Sequence, residues 1–173
     1  MIKKVHTLFF IFSLFGFLSI NAQRVSEQFK KHWFDGNAEI SSYSLEQSRY
    51  GEIRDGSAVL IFVTEDFLNK EQVKANQKSK TTIPIIKSNR TKKFLTGIYP
   101  YSIMSSSFSA IKSPQNIVKS SASIQEWCGQ SYLQINKREK QLEITSHSYF
   151  EGEADQNFKI TERSSKIYND ELI

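Results

Sequence analysis

The sequence predicts a mainly β, antiparallel protein with one short N-terminal helix, and three observations carry that prediction. The run Ala58-Val59-Leu60-Ile61-Phe62-Val63 is continuously apolar over a strand's length and rich in β-branched residues. Tyr132-Leu133-Gln134-Ile135 enters a charged turn at 136–140, and the chain returns over 141–150 with Leu142, Ile144 and Phe150 at even spacing, which is a β-hairpin pattern. Elsewhere short Gly, Pro, Ser and Asn clusters punctuate the apolar segments at strand-length intervals. A curved sheet wrapped around a core or an apolar groove suits this pattern.

Taken in order, residues 1–22 read as a secretory leader. Lys3 and Lys4 give a basic start, residues 8–20 an apolar run, and Asn21-Ala22 a cleavage site before Gln23. The run falls short of the roughly 20 residues needed to span a bilayer. The expected organisation is a signal peptide, 1–22, and a single β-rich domain, 23–173, of about 150 residues. Such a protein is exported, periplasmic or extracellular, and meets a membrane only through its leader. Gln23 stands where a lipid-modified Cys would be needed, so no lipid tether is expected.

Val25, Phe29 and Trp33 recur every four residues, a short amphipathic helix stopped by Asp35-Gly36. The stretch 38–50 reads as a strand that pairs across a turn at Arg54-Asp55-Gly56. Residues 58–63 are expected to form the central strand, buried on both faces. A polar loop with a turn of helix is expected over 65–79, and Pro84 favours an edge or a bulge for Ile83-Pro84-Ile85-Ile86. Bends are expected at Gly97 and at Tyr99-Pro100-Tyr101. Ser113-Pro114-Gln115-Asn116 reads as a turn, and the serines of 102–123 as the wet face of a sheet. Phe158 and Ile160 extend the hairpin pattern, and residues 161–173 carry the spacing of an incipient helix.

Charge excludes little but weighs against one class of partner. Lys and Arg number 23 against 18 Asp and Glu, and two of the five net positive charges belong to the leader. The rest are scattered, and the dense patches at 87–93 and 137–140 lie between apolar runs as solvated turns do. No nucleic-acid partner is expected. Cys128 is the sole cysteine, so no intramolecular disulfide forms, and beside Trp127 it is expected to be buried.

Several segments carry a family resemblance. His32-Trp33-Phe34-Asp35-Gly36, Arg49-Tyr50-Gly51-Glu52, Ala58-Val59-Leu60-Ile61-Phe62-Val63-Thr64-Glu65-Asp66-Phe67, Thr96-Gly97-Ile98-Tyr99-Pro100-Tyr101, Ser123-Ile124-Gln125-Glu126-Trp127-Cys128-Gly129 and Ser146-His147-Ser148-Tyr149-Phe150-Glu151-Gly152-Glu153-Ala154 together resemble a family of secreted and lipid-anchored proteins of flavobacteria and their relatives. The resemblance covers about 32–155. Members have no established biochemistry and are considerably longer, which implies a truncated chain with a C-terminal half missing beyond Ile173. They often carry the label of a septum formation inhibitor, Maf. True Maf proteins are similar to cytoplasmic nucleotide pyrophosphatases that open with a Ser-, Pro- and Arg-rich loop. The string Ser44 to Arg49 lacks the proline and the preceding small residues, so the label implies no pyrophosphatase activity here.

Three groups of side chains are candidates for chemistry. His147, Tyr149, Glu151, Glu153 and Asp155 would share one face if the strand continued through Gly152, where an imidazole among carboxylates suits a divalent cation or an acid–base pair. Their spacing matches no metal motif, so neither metal nor cofactor is assigned; a solvated face and a contact with a further C-terminal region are the plainer readings. Cys128 is a thiol nucleophile only if a base such as His147 lies near. Tyr99, Tyr101 and Trp127 are candidates to line a site for an apolar ligand or a glycan, and aromatic residues of this kind also fill cores. The expected function is non-enzymatic binding of an apolar small molecule or a cell-envelope partner. The alternatives are a metal-assisted or acid–base hydrolase at 147–155, and a structural or interaction protein.

Overall fold

The computed structural model describes residues 25–161. The expected leader, 1–22, lies outside them, as does the expected C-terminal helix beyond Thr161.

Helix α1 (Glu27–Trp33) forms at the four-residue spacing. Ser26 caps it, its Oγ accepting the Phe29 N–H at 3.0 Å, with Glu27 in the first turn and Lys30, Lys31 and His32 in the last, as the helix dipole favours. Seven residues do not sustain a helix alone. Trp33 anchors it: its ring meets Phe62 edge-on at 6.1 Å, and its carbonyl accepts from the Thr64 hydroxyl.

Nine strands follow: β1 (Glu39–Arg49), β2 (Glu52–Leu68), β3 (Val73–Lys74), β4 (Thr82–Thr96), β5 (Tyr99–Ala110), β6 (Ser113–Glu126), β7 (Gly129–Arg138), β8 (Gln141–Ser148) and β9 (Gln156–Thr161). They form one antiparallel sheet in the order β1-β2-β4-β5-β6-β7-β8-β9, with β3 paired to the end of β2. Five hairpins turn in two residues: Tyr50-Gly51, Gly97-Ile98, Ile111-Lys112, Trp127-Cys128 and Glu139-Lys140. Tyr50 and Gly51 both have positive φ, 56° and 78°, the twist-matched form of such a turn.

Several expected features sit elsewhere. The first hairpin turns at Tyr50-Gly51, and Arg54-Asp55-Gly56 lies inside β2. Gly56 is there for space: a Cβ would stand 2.2 Å from the Lys93 carbonyl oxygen and 2.8 Å from the Phe94 Cβ. The bend near Tyr99-Pro100-Tyr101 is replaced by the start of β5 directly after the turn at Gly97. Ser113-Pro114-Gln115-Asn116 is no turn but an irregular start to β6, where the register slips after Ser113 and the ladder resumes at Ile117. Pro84 lies within β4, neither at an edge nor at a bulge. It sits opposite Asp66 of β2, whose carbonyl is taken by Ala75, and its own carbonyl accepts from Ile111. Its ring nitrogen therefore points away from β2, and no bond of that ladder is lost.

The core also differs from expectation. Residues 58–63 are half-buried on both faces, because β2 has only β1 beyond it and little above it apart from α1. Buried apolar side chains gather in two small clusters. Phe67, Ile85, Phe108 and Val118 form one, and Ile117, Leu142 and Ile144 the other. The pairing puts them on opposite faces of the sheet. Phe67, expected in a loop, is its most buried aromatic at 1 % exposure; its charged neighbour Glu65 stays acceptable through Lys74 at 3.4 Å and Lys87 at 3.9 Å. The polar loop of 69–72 carries Gln72 into this interior. The Gln72 Nε2 donates to the Lys137 backbone carbonyl, and the Gln72 backbone carbonyl accepts from the Lys119 Nζ at 2.8 Å. Burial holds the Lys119 ammonium below its ordinary pKa, with Arg138 adding like-charge repulsion. The serines of 102–123 are not all on a wet face: Ser106, Ser107 and Ser109 are buried, as is Ser88 opposite Ser107 on β4.

Gly56→Ala is expected to lower the folding free energy by about 1–3 kcal/mol through overpacking against β4. Urea unfolding reads this as a lower midpoint, while Ser57→Ala at the exposed neighbour stays within about 0.5 kcal/mol of the parent. A Gly56→Ala protein as stable as the parent would contradict the close approach of β2 and β4.

Candidate functional site

Alternation along paired strands gives β6 to β9 two unlike faces. One face presents Gln125, Gln130, Tyr132, Gln134, Thr145 and His147, with each neighbour placed by the ladder. The other presents Ile124, Leu133, Ile135, Ile144, Leu142 and Phe158, together with Ile103 of β5. Cross-strand pairs of like character build each face: Ile103 with Ile124, Ile135 with Ile144, Ile144 with Phe158.

The polar face holds a depression of about 420 Å³ over β6, β7 and β8, into which Gln125, Gln130, Tyr132 and His147 converge, with Tyr149 and Asp155 at its border. Tyr132 stands directly opposite His147 across the β7–β8 ladder, and its hydroxyl donates to the Gln134 Oε1 at 2.8 Å. His147 Nδ1 lies 2.9 Å from Asp155 Oδ1. That pair is solvent-facing, with Asp155 brought back by the loop that follows β8.

The five residues expected on one strand face do not share one. β8 ends at Ser148, and residues 149–155 form a loop in which Gly152 and Ala154 take positive φ. Alternation therefore stops after His147. Asp155 folds onto His147, whereas Glu153 accepts from the Ser148 hydroxyl at 2.6 Å, and Glu151 is exposed. Tyr149 is seated where β7 begins with Gly129, since a Cβ there would stand 2.8 Å from the Tyr149 ring. Among the described residues, no three His, Cys, Asp or Glu side chains gather closely enough to hold a metal ion.

The expected aromatic trio divides. Tyr99 and Trp127 meet edge-on at 5.3 Å and are both exposed. Tyr101 is 4 % exposed and belongs to a clasp. Its ring stacks on Phe94 at 4.9 Å, its hydroxyl lies 2.9 Å from that of Tyr50, and the Arg49 guanidinium sits 4.6 Å over the Tyr50 ring and 5.2 Å over its own. The bond with Tyr50 and burial raise the Tyr101 pKa, and the phenols in turn raise that of Arg49. This clasp offsets the strain of the positive φ at Tyr50. A second open depression, of about 520 Å³, lies over the backbone of Gly56, Phe94 and Tyr101 and is bordered by Lys93 and Leu95.

Cys128 is exposed, not buried, because it occupies the two-residue turn at the end of the sheet with Trp127. Its backbone N–H donates to the Glu126 carboxylate at 2.9 Å. Glu126 raises the thiol pKa, first by hydrogen bonding and then by charge, the reverse of what a thiol nucleophile needs. His147 is committed to Asp155.

Gln125 and Gln130 were missed as site residues because their convergence with Tyr132 depends on the register of β6, β7 and β8. The Glu126-Trp127-Cys128-Gly129 turn was the available signal, as a two-residue hairpin there puts Gln125 opposite Gln130.

Fold and site define an open antiparallel β-meander whose β6 to β9 strands carry one polar and one apolar face. No protein-family model matches the chain, and no curated protein or solved structure is found to be similar to it.

Replacing Glu126 by Gln is expected to lower the Cys128 pKa towards its ordinary value and so to speed thiol alkylation at neutral pH, read by maleimide labelling. An unchanged rate would mean that Glu126 does not govern the thiol.

Proposed function

We propose that the protein is exported and acts by binding, taking a single-chain amphiphile such as a fatty acid on its apolar sheet face. One observation carries this reading: the cross-strand row Ser88-Ser107-Ser120-Ile135-Ile144-Phe158, which crosses six strands on one face. Its first two hydroxyls are buried without a hydrogen-bond partner, as is that of Ser109 on the same face. Its far end is apolar and opens at Phe158, which is 47 % exposed, with Leu133 beside the row at 37 %. Polar groups at one end and hydrocarbon at the other are the pattern of an amphiphile. At about 4.8 Å per strand the row is roughly 24 Å long, a length suited to an extended acyl chain. Exposed apolar patches of this kind mark interaction surfaces. The leader-like start of the sequence and the resemblance to a flavobacterial exported family support the periplasm or cell exterior as its place of work.

Hydrolysis at 147–155 has less support, since the arrangement brings together one imidazole and one carboxylate while Glu153 is engaged by Ser148.

The test is fluorescence titration with cis-parinaric acid, followed by displacement with palmitate. Saturable binding is expected, weakened roughly tenfold or more by Leu133→Asp and by Phe158→Asp, both exposed enough to fold. No saturable binding, or binding unaffected by both substitutions, would overturn the reading. Concentration-dependent self-association abolished by the same substitutions, without fatty-acid binding, would also overturn it and assign the face to a second copy.

A further inference from the structure

We infer that the depression on the opposite, polar face binds a neutral saccharide. Its volume of about 420 Å³ lies within the roughly 300–1,000 Å³ typical of small-molecule sites. The chemistry of its lining narrows the class of ligand. No Lys or Arg lines it, which removes the usual anchors for phosphate, sulfate or carboxylate ligands. Its one carboxylate, Asp155, is 2.9 Å from His147, so a cationic ligand would compete with an ion pair already present. Amide, hydroxyl and imidazole groups are interspersed with the rings of Tyr132 and Tyr149, a lining that suits a ligand carrying both hydroxyls and C–H faces better than a plain hydrocarbon.

A polyhydroxylated ligand fits what remains. Gln125 and Gln130, placed opposite each other, each carry two donors and an acceptor, and the Ser123 hydroxyl both donates and accepts. A sugar hydroxyl also does both, so every group in this lining can be satisfied by it. Tyr132, 39 % exposed and flanked by Ser123 and His147 across its two ladders, offers a ring on which the C–H face of a pyranose packs. The surface continues in kind beyond the depression. Ser121, Gln134, Thr145 and Asn157 form the next cross-strand row on this face, which extends the hydroxyl and amide pattern to β9 and suits an oligosaccharide rather than a single unit.

The test is amide-resolved NMR titration of the full chain with cellohexaose, maltohexaose, mannohexaose and chitohexaose. At least one sugar is expected to give saturable shifts centred on Gln125, Gln130, Tyr132 and His147. Tyr132→Ala is expected to weaken that binding roughly tenfold or more, and Tyr132→Phe, which keeps the ring, much less. Gln130→Leu, at an exposed position, gives a second measure that does not depend on the ring. Phe158→Asp on the other face is expected to leave sugar binding unchanged, so the saccharide site and the apolar face stand or fall separately. The inference is overturned if no sugar of the panel shifts these residues, if the shifts centre elsewhere, or if Tyr132→Ala and Gln130→Leu both fold and bind like the parent.

Discussion

Register is the constraint on which the rest of this structure depends. A two-residue turn sets how its strands pair beside it; five of the hairpins have such turns, and in four of them that register runs unbroken along the ladder, the β5–β6 hairpin being the exception. Because side chains alternate with period two, a slip of one residue anywhere from β5 to β8 would move Ile124, Leu133, Ile135 and Ile144 to the face that now carries Gln125, Tyr132, Gln134 and His147. The two-faced character of the sheet is therefore a consequence of turn geometry as much as of composition. Turn strain is accepted to secure it: Tyr50 and Glu139 hold positive φ without being glycine, and at Tyr50 the Arg49–Tyr101 clasp supplies compensation.

Alternation is broken where β5 meets the start of β6, with register shifts at Phe108/Ser109 and at Ser109/Ala110. Ile117 and Val118 are sequence neighbours that serve cores on opposite faces, and the register shift there lets Val118 join Phe67, Ile85 and Phe108 while Ile117 joins Leu142 and Ile144. The bulge hence couples two clusters too small to stabilise a domain separately. The loop of 69–72 ties the same region from one side through Gln72, Lys119 and Lys137. Away from this junction the faces of β6 to β9 are less covered, and that is where both binding readings fall.

The sequence was most legible where local chemistry decides structure. The capped helix, the β7–β8 hairpin and the continuation through Phe158 and Ile160 all follow from spacing that no distant contact overrides. It was least legible where the deciding atom is far along the chain. Gly56 looks like a turn residue until Lys93 and Phe94 are placed against it, and Pro84 looks like a strand breaker until Ile111 and Asp66 are known to flank it. Phe67 is masked by its charged neighbours, whose partners Lys74 and Lys87 lie on other strands. The candidate site divides in the same way. His147 and Asp155 were named together and do meet, but through a loop that ends the strand, not along one. Gln125, Gln130 and Tyr132 join them only by register, a property of paired strands that no single segment displays.

The most direct test of this account is the pairing of β6 with β7 in solution. Interstrand NMR contacts are expected to place Ala122 opposite Leu133 and Ser120 opposite Ile135, which puts Leu133 and Ile135 on the face of Ile124 and Tyr132 on that of Gln125. A register shifted by one residue, or no stable pairing between these strands, would contradict it, because the polar and apolar faces would then no longer exist as separate surfaces.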